Sequence, residues 1–400
     1  MRFLKLFVLP LFTASVLSAS LTSATASAAG DVPAATAKAP PVPLLWKVSD
    51  QDNAVYLLGS FHLLRADDYP LSSDIDQAFA GAGKLVFEVA PEEMFDPTVP
   101  QRFMARARYD DGRTLSKVLP ADLREKLNRV LAKNGSSLAQ LDALEPWFVN
   151  LSLVLGVSQS MGFSPQLGLD QYLMRQAAEA GKPTSGLETM ELQMQVMDSG
   201  PLPEQITALR EFVDKPEDVP GMLDEIHSAW RNADLAMLDE KARVEMEQKT
   251  PETYRMVNVE RNVAWVPQIQ KMLDEPKQGD ALVVVGSLHL LGNDGLVERL
   301  RAKGYTVERV CSSCTPADGP VPVIGAERAF AAKDASKPAD LKRGKDKPAK
   351  DASGKHENGK HEASEAEAAK PEQVKPEQAK PEPAKHEPAR AEAKPAGPSR

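Results

Sequence analysis

Two separated stretches of this chain finish in the same way. AVYLLGSFHLL (residues 54–64) and ALVVVGSLHLL (281–291) each run as an apolar strand into Gly-Ser-x-His-Leu-Leu. The segments beyond the two motifs also correspond. The first copy continues through a polar loop into SSDIDQAFAGAG, where Ser72 or Ser73 can cap a short helix, and then into the strand-like KLVFEVA. The second continues into DGLVERLRAKG, with Asp294 as the expected cap and Gly304 at the helix C-terminus, and then into YTVERV. Glu308 is thus the counterpart of Glu88. The order strand, GxxH, helix, strand, met twice, predicts an α/β fold whose central mixed sheet is built from two duplicated β-GxxH-α-β halves.

Only the middle of the 400 residues has the composition of a core. Residues 1–28 open with MRFLK, continue through LFVLPLFTASVL and reach the small residues Ala26-Ser27-Ala28, which reads as a cleavable secretory signal. The apolar run falls short of the ~20 residues a bilayer needs, so no membrane span is expected after its removal. Residues 29–42 read as a linker and 43–316 as the folded domain, with a helical insert over about 115–275. Residues 317–400 read as a disordered Lys/Glu/Ala/Pro-rich tail. From Ala331 onward it holds 16 Lys/Arg, 13 Asp/Glu and 9 Pro, with no aromatic residue to offset ordering entropy. His356, His361 and His386 lie in that tail and are not read as ligands.

Residues 31–330 carry 30 Lys/Arg against 44 Asp/Glu. That balance opposes phosphate backbones, so nucleic acid is not an expected partner. Cys311 and Cys314, in CSSC, are the only cysteines, and in an oxidising compartment they read as a local disulfide.

Between the copies the pattern is helical, apart from a short strand ending at Glu188. LLWKVSD and AVYLLGS flank a turn at Gln51-Asp52-Asn53 and predict a hairpin. PADLREKLNRVLAKNG places Leu123, Leu127, Val130 and Leu131 on one helical face. Pro146 opens a more apolar helix, and Met190, Met194 and Met197 come after it at helical spacing as packing residues.

Three histidines fall in the folded part. His227, three residues before Trp230 on a helix, reads as a surface or packing residue. His62 and His289 come just past strand ends, where the loops of a parallel α/β sheet diverge and ligands bind. With Glu88 they make a candidate three-ligand metal site that leaves room for water. The competing structural reading has both imidazoles satisfying buried backbone groups.

The ordered set YLLGSFHLLRADDYPL, LVFEV, GLDQYL, GKPTSGLET, ERN at 260–262 and VVVGSLHLLGNDGLVERLRAKGYTVERV resembles the TraB/GumN family in its GumN-like bacterial branch, over residues 43–311. That family is in turn similar to TIKI metalloproteases and, more remotely, to erythromycin-esterase-like and ChaN-like proteins. The resemblance implies a hydrolase, with a peptidase among the options, and a divalent metal (Mn, Co or Zn) held by His62, Glu88 and His289, with Arg261 as the family's arginine. On this reading Arg261 stabilises oxyanion charge, and Glu188 or Glu308 orients a histidine or acts as general base. Two other readings stay open: a metal-free, esterase-like hydrolase with a histidine base, and a non-catalytic envelope binding or scaffold protein whose tail reaches envelope partners. The substrate, peptide or envelope-related, is not specified by these residues.

Overall fold

A computed structural model of the chain describes residues 38–274 and 279–314. The signal, most of the linker, and the tail with its three histidines lie outside the described residues. At the centre is a six-stranded mixed sheet in the order β4-β3-β5-β2-β1-β6. Its strands are β1 (Leu45–Ser49), β2 (Ala54–Ser60), β3 (Lys84–Val89), β4 (Thr184–Glu188), β5 (Ala281–Gly286) and β6 (Thr306–Arg309). The β1–β2 hairpin forms as its turn residues predict, with Ser49 paired to Ala54. β1 is antiparallel to both neighbours, whereas β2, β3, β4 and β5 run parallel.

The longer helices are α1 (Ser73–Gly81), α2 (Val99–Arg106), α3 (Ala121–Lys133), α4 (Pro146–Ser160), α5 (Leu169–Glu179), α6 (Met190–Asp198), α7 (Leu202–Asp214), α8 (Val219–Arg231), α9 (Glu260–Leu273) and α10 (Leu296–Ala302). Leu123, Leu127 and Leu131 of α3 are buried as their spacing requires. So are Met190 and Met194 of α6, two of the three methionines read as packing. Cys311 and Cys314 form a disulfide. Asp294 does not cap α10: Gly295 stands at the cap position, and the Asp294 carboxylate accepts instead from the Tyr254 hydroxyl at 2.6 Å.

The two GxxH strands are neighbours at the centre of the sheet. From β2 the chain crosses β5 through α1 to reach β3; from β5 it crosses β2 and β1 through α10 to reach β6. The two connections depart in opposite directions, so the β2–β5 boundary is a topological switch point. The halves share their order of elements but differ in detail. Glu88 is buried on inner strand β3, while its expected counterpart Glu308 is exposed on edge strand β6, opposite Lys47. Glu308 therefore takes no part in the centre, because the longer crossover carries its strand to the far edge of the sheet.

Glu145, just before Pro146 of α4, is a half-buried acid. Burial, with the charge of Asp198, pushes its carboxyl up to about 7 from 4.5. The unfolded chain ionises first, so this group makes the folded state progressively less favourable as pH rises between those two values. Glu145→Gln should raise the melting temperature at pH 8 by roughly 2 °C, or about 1 kcal/mol once solvent screening is allowed for, and leave it unchanged at pH 4. Thermal melts at the two pH values check this; an equal shift at both contradicts it.

Candidate functional site

Parallel pairing places Ser60 opposite Gly286, not Gly59 opposite Gly286, so the two Gly-Ser-x-His segments are staggered by one residue. Since side chains alternate along a strand, a one-residue stagger gives equivalent positions unequal surroundings. Close approach remains essential. A Cβ on Gly59 would stand 3.0 Å from both the Leu44 Cβ and the Ser287 Oγ. Ser287 donates to the Ser60 carbonyl at 2.9 Å and ties the two turns together.

His62 is 3% exposed and sits in a bend past β2. Its Nδ1 lies 3.0 Å from Oδ1 of Asp170, on the first turn of α5, and the same oxygen accepts from Ser60 Oγ at 2.9 Å. Burial opposes ionisation of Asp170, but the His62 ring and the His62 and Ser60 hydrogen bonds hold its carboxyl below the usual range. An ionised carboxylate accepts only. Nδ1 therefore carries a proton, and whenever the ring is neutral its lone pair is on Nε2. Gly168 makes the approach of α5 possible, since a Cβ there would collide with the His62 carbonyl oxygen. Gly168→Ala should cost about 1–3 kcal/mol and displace His62 from Asp170. Chemical denaturation and the His62 ring NMR signals together read both effects.

His289 is wholly buried in the 3-10 turn Ser287–Leu290. Its Nδ1 donates to Asn262 Oδ1 at 2.7 Å, and its Nε2 accepts from Arg261 Nη1 at 3.1 Å. The Asn262 amide is fixed in that orientation because its Nδ2 donates to the Asp294 carbonyl at 2.9 Å. Burial, the Arg261 charge and the nearby His62 hold the imidazole well below its usual pKa, so His289 is neutral. The Ser287–Ser60 hydrogen bond keeps the two histidine-bearing turns side by side. Both nitrogens of His289, however, are already engaged.

Arg261 and Asn262 open α9 directly after a π turn, Arg255–Val259. The wider turn resets the helical register, a device frequent at functional positions. Arg261 is 3% exposed and covers Trp265, its guanidinium carbon 4.6 Å from the ring centroid. Its Nε donates to Glu188 Oε2 at 3.0 Å, and its Nη2 to Glu188 Oε1 and Glu88 Oε2, both at 2.6 Å. Its Nη1 donates to the Val257 carbonyl and to His289, both at 3.1 Å. A guanidinium has five N–H donors, and all five meet protein acceptors. In this arrangement Arg261 has no donor left for an oxyanion. It is the hub that positions its neighbours.

Glu88 is equally committed. Its Oε1 accepts from the Gly286 N–H at 2.7 Å, and its Oε2 from Arg261 and from Gln193 Nε2, the latter at 3.1 Å. Glu188 does not cap the next helix, since Thr189 fills that position and accepts from Leu192 N at 3.2 Å. Burial, with the Glu88 charge, raises the Glu188 carboxyl above its usual range although Arg261 opposes the shift. One guanidinium faces two carboxylates, so a proton on Glu188 would neutralise the cluster.

These positions do not fit a divalent metal as they stand. His289 Nε2 and Glu88 Oε1 are 3.8 Å apart, but the guanidinium is hydrogen-bonded to both residues and supplies a positive charge among the expected ligands. Among the described residues no group of three or more His, Cys, Asp or Glu side chains is placed to hold a metal. His227 is part of a packing cluster, as expected. Its ring is edge-on to Phe61 and Phe163, and its Nε2 is 2.9 Å from both Asp68 carboxylate oxygens.

Sequence reading missed Asp170, Asn262 and Gln193. The first two lie inside GLDQYL and ERN, motifs that mark the segments without assigning roles to these residues. The third shares a helix with the methionine stripe, where nothing but its polarity sets it apart.

Fold and site together define an α/β protein with a histidine–aspartate pair and an arginine–glutamate hub at the switch point of a mixed sheet. The family model for the TraB/PrgY/gumN family matches residues 44–309, and the chain belongs to that family. Among its relatives is an uncharacterized protein, YbaP, of Escherichia coli (strain K12), 23% identical over 250 residues that cover 62% of this chain and 87% of the relative. YbaP of Shigella flexneri matches with the same figures. No solved structure matches the chain.

Proposed function

We propose that this chain is a hydrolase in which His62, oriented by Asp170, takes a proton from the attacking water. The observation that carries the reading is the buried Asp170–His62 contact at 3.0 Å, which leaves the proton-accepting lone pair on Nε2. His289, Arg261, Glu88 and Glu188 form the scaffold that fixes the second turn against the first. The metal-dependent mechanism implied by family resemblance has less support, because the guanidinium engages His289 Nε2 and Glu88 Oε2, two of the atoms that a metal would need.

The discriminating experiment assays the purified chain on a panel of p-nitrophenyl esters and unstructured peptides, before and after treatment with a strong chelator. Activity that survives chelation, falls about 10²–10⁴-fold in His62→Gln and depends much less on His289→Gln fits the proposal. Activity restored only by Mn, Co or Zn, and lost equally in both variants, overturns it. No hydrolysis of any panel member would favour the binding or scaffold reading.

The proposal extends to location. The basic-apolar-small segment 1–28 and the Cys311–Cys314 disulfide both support export to an oxidising compartment. The charged, Pro-rich segment 317–400 then serves as a tether to envelope partners. Cell fractionation with N-terminal sequencing of the mature chain checks export: a cytoplasmic product retaining Met1 contradicts it. Among the described residues no helix is long and apolar enough to cross a membrane.

A further inference from the structure

Gln193 on α6 is 2% exposed and lies against the two carboxylates of the hub. Its amide nitrogen donates to Glu88 Oε2 at 3.1 Å and to Glu188 Oε1 at 3.2 Å. Those are the oxygens that Arg261 Nη2 holds at 2.6 Å, so amide and guanidinium straddle the carboxylate pair from two sides. Both amide hydrogens are used. The alternative orientation would turn a carbonyl oxygen onto carboxylate oxygens, so the identity of the two amide atoms is fixed by their partners.

Oε1 consequently points away from the pair, is buried, and meets no hydrogen-bond donor among the described residues. A buried acceptor without a donor is costly, and a fold that pins one in place at its functional centre has a use for it. The surroundings narrow the choice. With two glutamates beside it, the position favours a donor over another acceptor.

We infer that Gln193 is a specificity-determining residue whose Oε1 accepts a hydrogen bond from an N–H or O–H group of the bound substrate, selecting compounds that carry such a donor. The inference deepens the hydrolase reading, but it concerns binding and is tested without turnover. The probes are N-methylacetamide, which has one N–H, and N,N-dimethylacetamide, which has none.

Titrations of the wild-type chain and of Gln193→Met, followed by the side-chain amide and methyl NMR signals of the site, should show the wild type binding N-methylacetamide about tenfold more tightly than the dimethyl compound. Gln193→Met should bind the two alike. Should Gln193→Met fail to fold, discrimination between the two probes by the wild-type chain decides the inference by itself. Equal affinity, or no binding of either probe, in wild-type protein means that Oε1 holds solvent only, and overturns the inference. The ester and peptide panel fails independently if the hydrolase reading is wrong, so the two failures are distinguishable.

Discussion

Arg261→Met should destabilise the fold by about 3–5 kcal/mol at neutral pH, the largest stability loss expected from any single substitution in the centre. Methionine fills similar volume and keeps contact with Trp265, so the loss is electrostatic. It leaves Glu88 and Glu188 facing one another, 4% and 9% exposed, without their cation. It also removes the donor to His289 Nε2. A second substitution separates these effects. Arg261→Met with Glu188→Gln leaves one buried carboxylate in place of two, and should recover part of the loss. Glu188→Gln alone should cost least, since Arg261 and Glu88 still balance in charge. Arg261→Lys keeps the charge but offers three donors in place of five, and belongs between these extremes. Urea melts of the four variants at pH 7.5 check the order. Equal stability of wild type and Arg261→Met would mean that the cluster is solvated and that the hub does not hold the site together.

Asp170→Asn should have the largest effect on activity, lowering kcat/KM by about 10²–10⁴ with a much smaller effect on stability than Arg261→Met. The asparagine preserves shape, and its carbonyl can still accept from Ser60. Its NH₂ group, however, competes to donate to His62 Nδ1 and stabilises the tautomer with the proton on Nε2, the wrong one for a base. The stability profile carries a second signature. The Asp170 carboxyl is held below its usual range in the folded protein, so it contributes stability above about pH 4 that is lost as pH falls through the folded value. The variant should lose less stability than wild type between pH 5 and 2. A His62 that works equally well beside asparagine would show that the contact is structural only.

The central part of the fold was legible because strand periodicity and turn chemistry are local. The β1–β2 hairpin, the leucine face of α3 and the two apolar strands before the histidines are all dictated by residues close in sequence. That the two histidine-bearing turns would adjoin came from a general property of parallel sheets. Their difference did not, since a one-residue stagger between β2 and β5 is set by tertiary packing and leaves no trace in the motif. Glu308 was expected beside Glu88 for the same reason: the repeated order of elements does not encode how many strands each crossover passes. Asp170 reaches His62 across 108 residues, and Gln193 reaches Glu88 across 105, distances at which spacing carries no information. Arg261 was expected to stabilise oxyanion charge. A count of its five donors, all satisfied by protein, is what turns it from an oxyanion-binding group into a positioning residue.

Nitrogen-15 NMR of the histidine rings, assigned with His62→Gln and His289→Gln and monitored from pH 5 to 8 with and without Zn²⁺, addresses the division of labour between the two imidazoles most directly. Expected are a His289 ring that stays neutral with its proton on Nδ1 throughout, unmoved by the metal, and a His62 ring whose neutral form also carries the proton on Nδ1. A His289 that takes up a proton near pH 6.5, or whose Nε2 signal shifts on stoichiometric Zn²⁺, is incompatible with a centre organised by Arg261 and would restore the metal site.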